Sequence, residues 1–160
     1  MRIGFLAAGS LALLAVATTS MATSHRVQDG IIGIWRLREV KMTNKGAKPL
    51  SPDVLASMRS GSKLELRADK TFKLTISNSP TEGTWTAQNG TVLMAMRTMN
   101  GRPVSAFRED LLKFAKDNPS VSVKDSLAAL DKPMIGAVSG GLMTLVQSKG
   151  SPMQFVFVRS

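Results

Sequence analysis

The sequence predicts a mainly β domain of eight antiparallel strands, with a short helix after the first strand and a two-helix insert between the fifth and sixth. Three observations carry this. From Lys63 to Ser77 apolar and polar residues alternate, the period of a strand with one buried and one wet face. Asn89-Gly90 lies between two further alternating runs, and this dipeptide suits a two-residue hairpin turn because both central residues need positive φ. Between Pro103 and Pro133 the apolar period lengthens to that of amphipathic helices.

Ahead of the domain, Met1-Arg2 gives a positive start, Ile3 to Ala17 is apolar, and small residues follow. This is the three-part pattern of a secretory signal peptide over residues 1–22. Cleavage is expected after Ala22, with Ala17 as the alternative. The apolar run is shorter than the ~20 residues a membrane anchor needs. No cysteine follows it, which excludes a lipidated leader. Residues 23–30 are polar and read as a tail. The domain itself is expected over 31–160.

Ile31 to Lys41 reads as the first strand, with Trp35 and Leu37 on one face and Arg36 and Arg38 on the other. Residues 42–50 carry loop chemistry. Ser51-Pro52-Asp53 then supplies an N-cap, a proline at the first helical position and an acid in the first turn, so a helix is expected at 52–59. In the hairpin that follows, Leu64, Leu66 and Ala68 alternate, the chain turns around Asp69-Lys70, and Phe72, Leu74 and Ile76 return. Asn78-Ser79-Pro80 is expected to break the strand. Glu82 to Thr86 makes the fourth, with Trp85 inward, and Thr91 to Thr98 the fifth, with Val92, Met94 and Met96 alternating.

The insert is expected over 105–131. Phe107, Leu111, Phe114 and Ala115 form a stripe that would dock the first helix, and Asn118-Pro119 stops it. Ser122-x-x-Asp125 resembles a capping box for the second. Three strands close the chain: 134–139, a Gly140-Gly141 turn, 142–147, a turn at 148–151, and 153–159 with Met153, Phe155 and Phe157 sharing a face.

Four segments resemble the bacterial lipocalin-like domains: Gly33-Ile34-Trp35, Leu64-x-Leu66-x-x-Asp69-x-Thr71-Phe72, Glu82-Gly83-Thr84-Trp85, and Gln154 to Arg159. The resemblance implies a small antiparallel eight-stranded barrel, often with a cavity for an apolar ligand. The chain departs from the lipocalins proper in lacking their Thr-Asp-Tyr motif and any tyrosine, and in placing its helices before the last three strands. Eight strands is the size at which a barrel interior either fills with side chains or holds one small ligand. Inward candidates are Trp35, Leu37, Leu64, Leu66, Phe72, Leu74, Ile76, Trp85, Met94, Met96, Phe155 and Phe157. Period-two spacing fits a ligand-lined wall and a solid core equally.

Residue chemistry excludes more than it offers. With no cysteine there are no disulfides, thiolate metal sites or thiol nucleophiles. The single histidine, His25, stands in the tail, where nothing fixes a general base. Ser60-x-x-Lys63 has the spacing of a serine–lysine pair but no partner motifs. Glu109 and Asp110 are adjacent, so on a helix they point apart. Met94-x-Met96-x-x-Met99 offers thioethers of the kind that suit Cu(I), although methionine also fills irregular core space. The chain carries a net charge of +10, one less once Arg2 leaves with the leader. Its basic residues are interleaved with acids and lack stacking aromatics, so nucleic acid is not an expected partner.

The expectation is therefore an exported, non-enzymatic protein with no metal, no cofactor and no transmembrane segment. One reading has it holding a small hydrophobic or amphipathic ligand in the barrel. The other has a filled barrel binding a protein or an anionic envelope component through its basic surface or helical insert.

Overall fold

The computed structural model describes residues 30–43, 49–147 and 151–160. The expected leader, most of the tail with His25, and parts of two loops fall outside these residues. The strands are β1 (Gly33–Met42), β2 (Lys63–Leu66), β3 (Thr71–Ile76), β4 (Ser79–Gln88), β5 (Thr91–Met99), β6 (Arg102–Pro103), β7 (Met134–Ser139), β8 (Leu142–Val146) and β9 (Met153–Arg159). The helices are α1 (Pro52–Ser60), α2 (Val104–Asp117) and α3 (Lys124–Asp131).

Eight of these strands form a closed antiparallel barrel. The order runs β4-β3-β2-β1-β9-β8-β7-β5, and the β4–β5 pairing closes the ring. Closure leaves no long edge strand exposed for pairing with another chain. The two residues of β6 only extend β5, with Thr98 opposite Pro103, and lead into the helical insert. The expected arrangement of five strands, an insert and three strands is thus present in the ring.

Turn chemistry sets the registers. Asn89 and Gly90 both have positive φ, as the hairpin pairing Gln88 with Thr91 requires. The β3–β4 turn corrects the sequence reading. Ser77 and Asn78 carry the positive φ values, and Ser79-Pro80 already belongs to β4, opposite Ile76 and Thr75. Pro80 is tolerated because its role here is as an acceptor: its carbonyl takes the Asn100 N–H at 2.7 Å. The turn between β2 and β3 is fixed by Asp69, whose carboxylate accepts from the Thr71 amide (2.9 Å) and hydroxyl (2.6 Å). Ala68 sits in that turn and is exposed, not buried as its place in the alternation suggested.

A bulge at Arg38 shifts the pairing of β1 with β9, so that Leu37 faces Phe157 and Val40 faces Phe155. The alternation broken is that of β1, buried at Trp35, Leu37 and Val40; in β9 Val156 is buried as well as Phe157, and Met153 is exposed. Helix α1 begins as expected, with Pro52 in the first turn and the Ser51 hydroxyl accepting from the Val54 amide. Leu55 and Met58 pack its inner side on the core.

The insert differs from expectation in two ways. The N-cap of α3 is Val123, with no side-chain cap, so the Ser122–Asp125 capping box is not formed. No residue of α2 or α3 is fully buried, and Phe114 of the proposed docking stripe is exposed, as are Leu112 and Val121. The other stripe residues, Phe107, Leu111 and Ala115, are half-buried, and ion pairs join Arg102 to Asp110 at 2.9 Å and Arg108 to Asp131. Surface ion pairs contribute little, typically ~0–1 kcal/mol.

On the outer wall Glu65 bridges Lys63 (2.8 Å) and Arg67 (3.1 Å). The hydrogen bond from Lys63, helped by Arg67, holds its carboxyl below the usual carboxylate range, against a smaller opposing effect of burial. The stability this gives is complete above the group's ordinary pKa and is lost as pH falls through the lower folded value. Glu65→Gln should therefore lower the thermal midpoint at neutral pH and flatten its acid limb. An acid limb unchanged by the substitution would exclude this ion pair as a contributor.

Candidate functional site

The sequence nominated the barrel interior, and the structure brings the nominated residues together. Trp35, Leu64, Leu66, Phe72, Leu74, Trp85, Met94 and Phe157 are all buried in one hydrophobic cluster, with Met96 and Phe155 half-buried against it. Leu37 is in the cluster, and Ile76 packs on its margin. Sequence reasoning did not assign Val92, Met134, Met143 and Leu145 to the interior, although they are buried there too. A signal was available, since Met143 and Leu145 alternate along β8.

The two tryptophans are the largest members of this cluster, each about 1% exposed. Each indole N–H has a backbone acceptor, as a buried ring needs. Trp35 Nε1 donates to the Ile31 carbonyl at 2.9 Å, and Trp85 Nε1 to the Arg67 carbonyl at 3.0 Å. Lys70 Nζ lies 4.2 Å from the centroid of the Trp85 ring. Among the described residues no buried side-chain polar atom lacks a partner.

The methionines fill space that a glycine opens. Met94 stands opposite Trp85 on one side and Met134 on the other. A Cβ built on Gly136 would lie 3.4 Å from Val92 Cβ, 3.5 Å from Met143 Sδ and 3.6 Å from Met94 Cε. Flexible thioethers thus close around a position without a side chain, the packing use of methionine. Met94 is buried, and Met96 and Met99 are half-buried. Among the described residues no group of three His, Asp or Glu side chains is placed to hold a metal ion.

Two open clefts lie away from the middle of this cluster. One of about 310 Å³ is lined by Arg67, Asp69, Thr71, Phe72, Glu82, Gly83, Arg97 and Thr98. Another, of about 520 Å³, borders the Asn89-Gly90 hairpin from Thr86 to Leu93. Of the buried core side chains, only Phe72 reaches either wall. No helix of the described residues is long and apolar enough to cross a membrane.

No protein-family model matches the sequence, and no curated protein is significantly similar to it. Two solved structures are similar to it at low identity. A DUF4847 family protein from Bacteroides vulgatus is 18% identical, with a TM-score of 0.44 over 80% of this chain and 92% of that one. An uncharacterized protein from Bacteroides eggerthii is 14% identical, with a TM-score of 0.45 over 81% of this chain and 98% of that one.

Proposed function

We propose that this chain is an exported, non-enzymatic, lipocalin-like barrel whose interior is its own hydrophobic core and whose binding is done by its outer surface. One observation carries the reading. The inward side chains of Trp35, Phe72, Trp85, Met94, Met143 and Phe157, the bulk from which a ligand wall would be made, are each at most 1% exposed and belong to one cluster. A barrel of eight strands has just enough interior to be filled in this way. Export rests on the leader pattern of residues 1–22.

The test is a paired measurement on wild type and a Met94→Phe, Met96→Phe variant. With a fluorescent fatty-acid probe, wild type should show no saturable binding. Urea unfolding should show the variant less stable, by about 1–3 kcal/mol from Met94, because the added ring overpacks a closed site. The half-buried Met96 contributes less. Saturable probe binding that the two phenylalanines abolish while the fold persists would establish a cavity and overturn the filled-barrel reading.

A further inference from the structure

The register of β1 collects cations on one stretch of the outer wall. Arg36 lies directly opposite Lys63, and both are exposed. Like charges facing each other across a strand pair destabilise it; Lys63 is offset by its ion pair with Glu65, whereas Arg36 has no ion pair among the described residues. Arg38, at the bulge, is also exposed. Arg59, at the end of α1, is pinned to the same place by donating from Nε to the Arg38 carbonyl at 2.6 Å. Of the nearby acids, Glu65, opposite Ile34, pairs with Lys63 and Arg67, and Glu39 pairs with Lys41, so among the described residues neither ion-pairs with Arg36, Arg38 or Arg59.

Apolar side chains border these cations on the same face. On its other side Arg36 stands opposite Val158, which pairs in turn with Leu142. Val158 is 38% exposed, and Ile34, two residues before Arg36 on β1, is 47% exposed. An exposed branched-chain rim beside an arginine cluster matches the chemistry of an anionic bilayer surface, where headgroups meet the cations and the acyl boundary takes the apolar side chains. A soluble polyanion would use the cations and leave Ile34 and Val158 without a role.

We propose that the β9–β1–β2 face docks on anionic lipid, with Arg36, Arg38, Arg59 and Lys63 meeting headgroup phosphates and Ile34 and Val158 entering the interface. The proposal rests on the outer-surface reading above. Co-sedimentation of the protein with phosphatidylcholine vesicles, with and without phosphatidylglycerol, tests it. Binding is expected only with phosphatidylglycerol and should weaken as salt is raised. Each of Arg36→Glu and Arg38→Glu should weaken it at least about tenfold. The pair Ile34→Ser, Val158→Ser should weaken it at least about threefold. The pair Lys113→Glu, Lys116→Glu, on α2, should leave it unchanged. Circular dichroism confirms folding, and Arg36→Gln with Arg38→Gln serves if a reversal unfolds the barrel. Absent wild-type binding, an equal loss from the α2 pair, or binding to soluble polyphosphate without vesicle binding would overturn the proposal. None of these results depends on the probe experiment, so failure of lipid docking and failure of the filled-barrel reading are told apart.

Discussion

Gly83→Ala is expected to remove about 3 kcal/mol or more of folding stability, the upper end of what overpacking costs. A Cβ at position 83 would lie 2.0 Å from the Ala95 carbonyl oxygen and 2.9 Å from Cε1 of Phe72. The nearer atom is backbone, in the strand paired with β4, at the irregularity between Glu82 and Gly83 where the β4–β5 register shifts. No rotamer change relieves such a clash. Either the ladder that closes the barrel opens, or Phe72 leaves its place in the core. Gly136→Ala is the control, since its nearest neighbours stand at 3.4–3.6 Å and include two flexible thioethers. It should cost less than about 1 kcal/mol, within the range of tolerated core changes. Urea midpoints of the two variants measure the difference, and equal midpoints would mean that β5 does not approach Gly83 this closely.

That contrast also marks what a sequence can reveal. Alternation in Lys63–Ser77 and the Asn89-Gly90 turn were enough to place strands and faces, because side-chain period and positive φ are local properties. The interior was legible for the same reason, from Trp35 through Phe157. Three features were not. The Arg38 bulge changes which residues of β1 face inward, so that Val40 and not Glu39 follows Leu37, yet nothing local distinguishes Arg38 from Arg36. The stripe on α2 signals amphipathicity, but whether a face is covered depends on what the barrel offers opposite it, and Phe114 meets nothing that buries it. The cationic face is invisible along the chain because Arg36 and Lys63 become neighbours only through the β1–β2 register. Along the chain the basic residues are interleaved with acids, and only the pairing of β1 with β2 brings Arg36 and Lys63 side by side.

Trp85→Ala should cost about 3–5 kcal/mol, the range for removing a large aromatic from a packed core. The ring lies at a junction. Its indole N–H holds the Arg67 carbonyl at 3.0 Å, its backbone N–H donates to the Lys70 carbonyl at 2.8 Å, and Lys70 Nζ covers its face. Trp85 thereby ties the β2–β3 turn to β4, while Met94 backs it from β5. Trp85→Phe separates the contributions. It keeps most of the apolar volume but removes the indole donor from the Arg67 carbonyl, and should cost about 1–3 kcal/mol. Lys70→Ala should cost about 1 kcal/mol, as a half-buried cation–π contact does. The order Ala, then Phe, then the Lys70 variant in denaturant midpoints is the expected result. A Trp85→Ala midpoint within about 1 kcal/mol of wild type would show that the ring does not fill the barrel, and the case for a solid interior would fall with it.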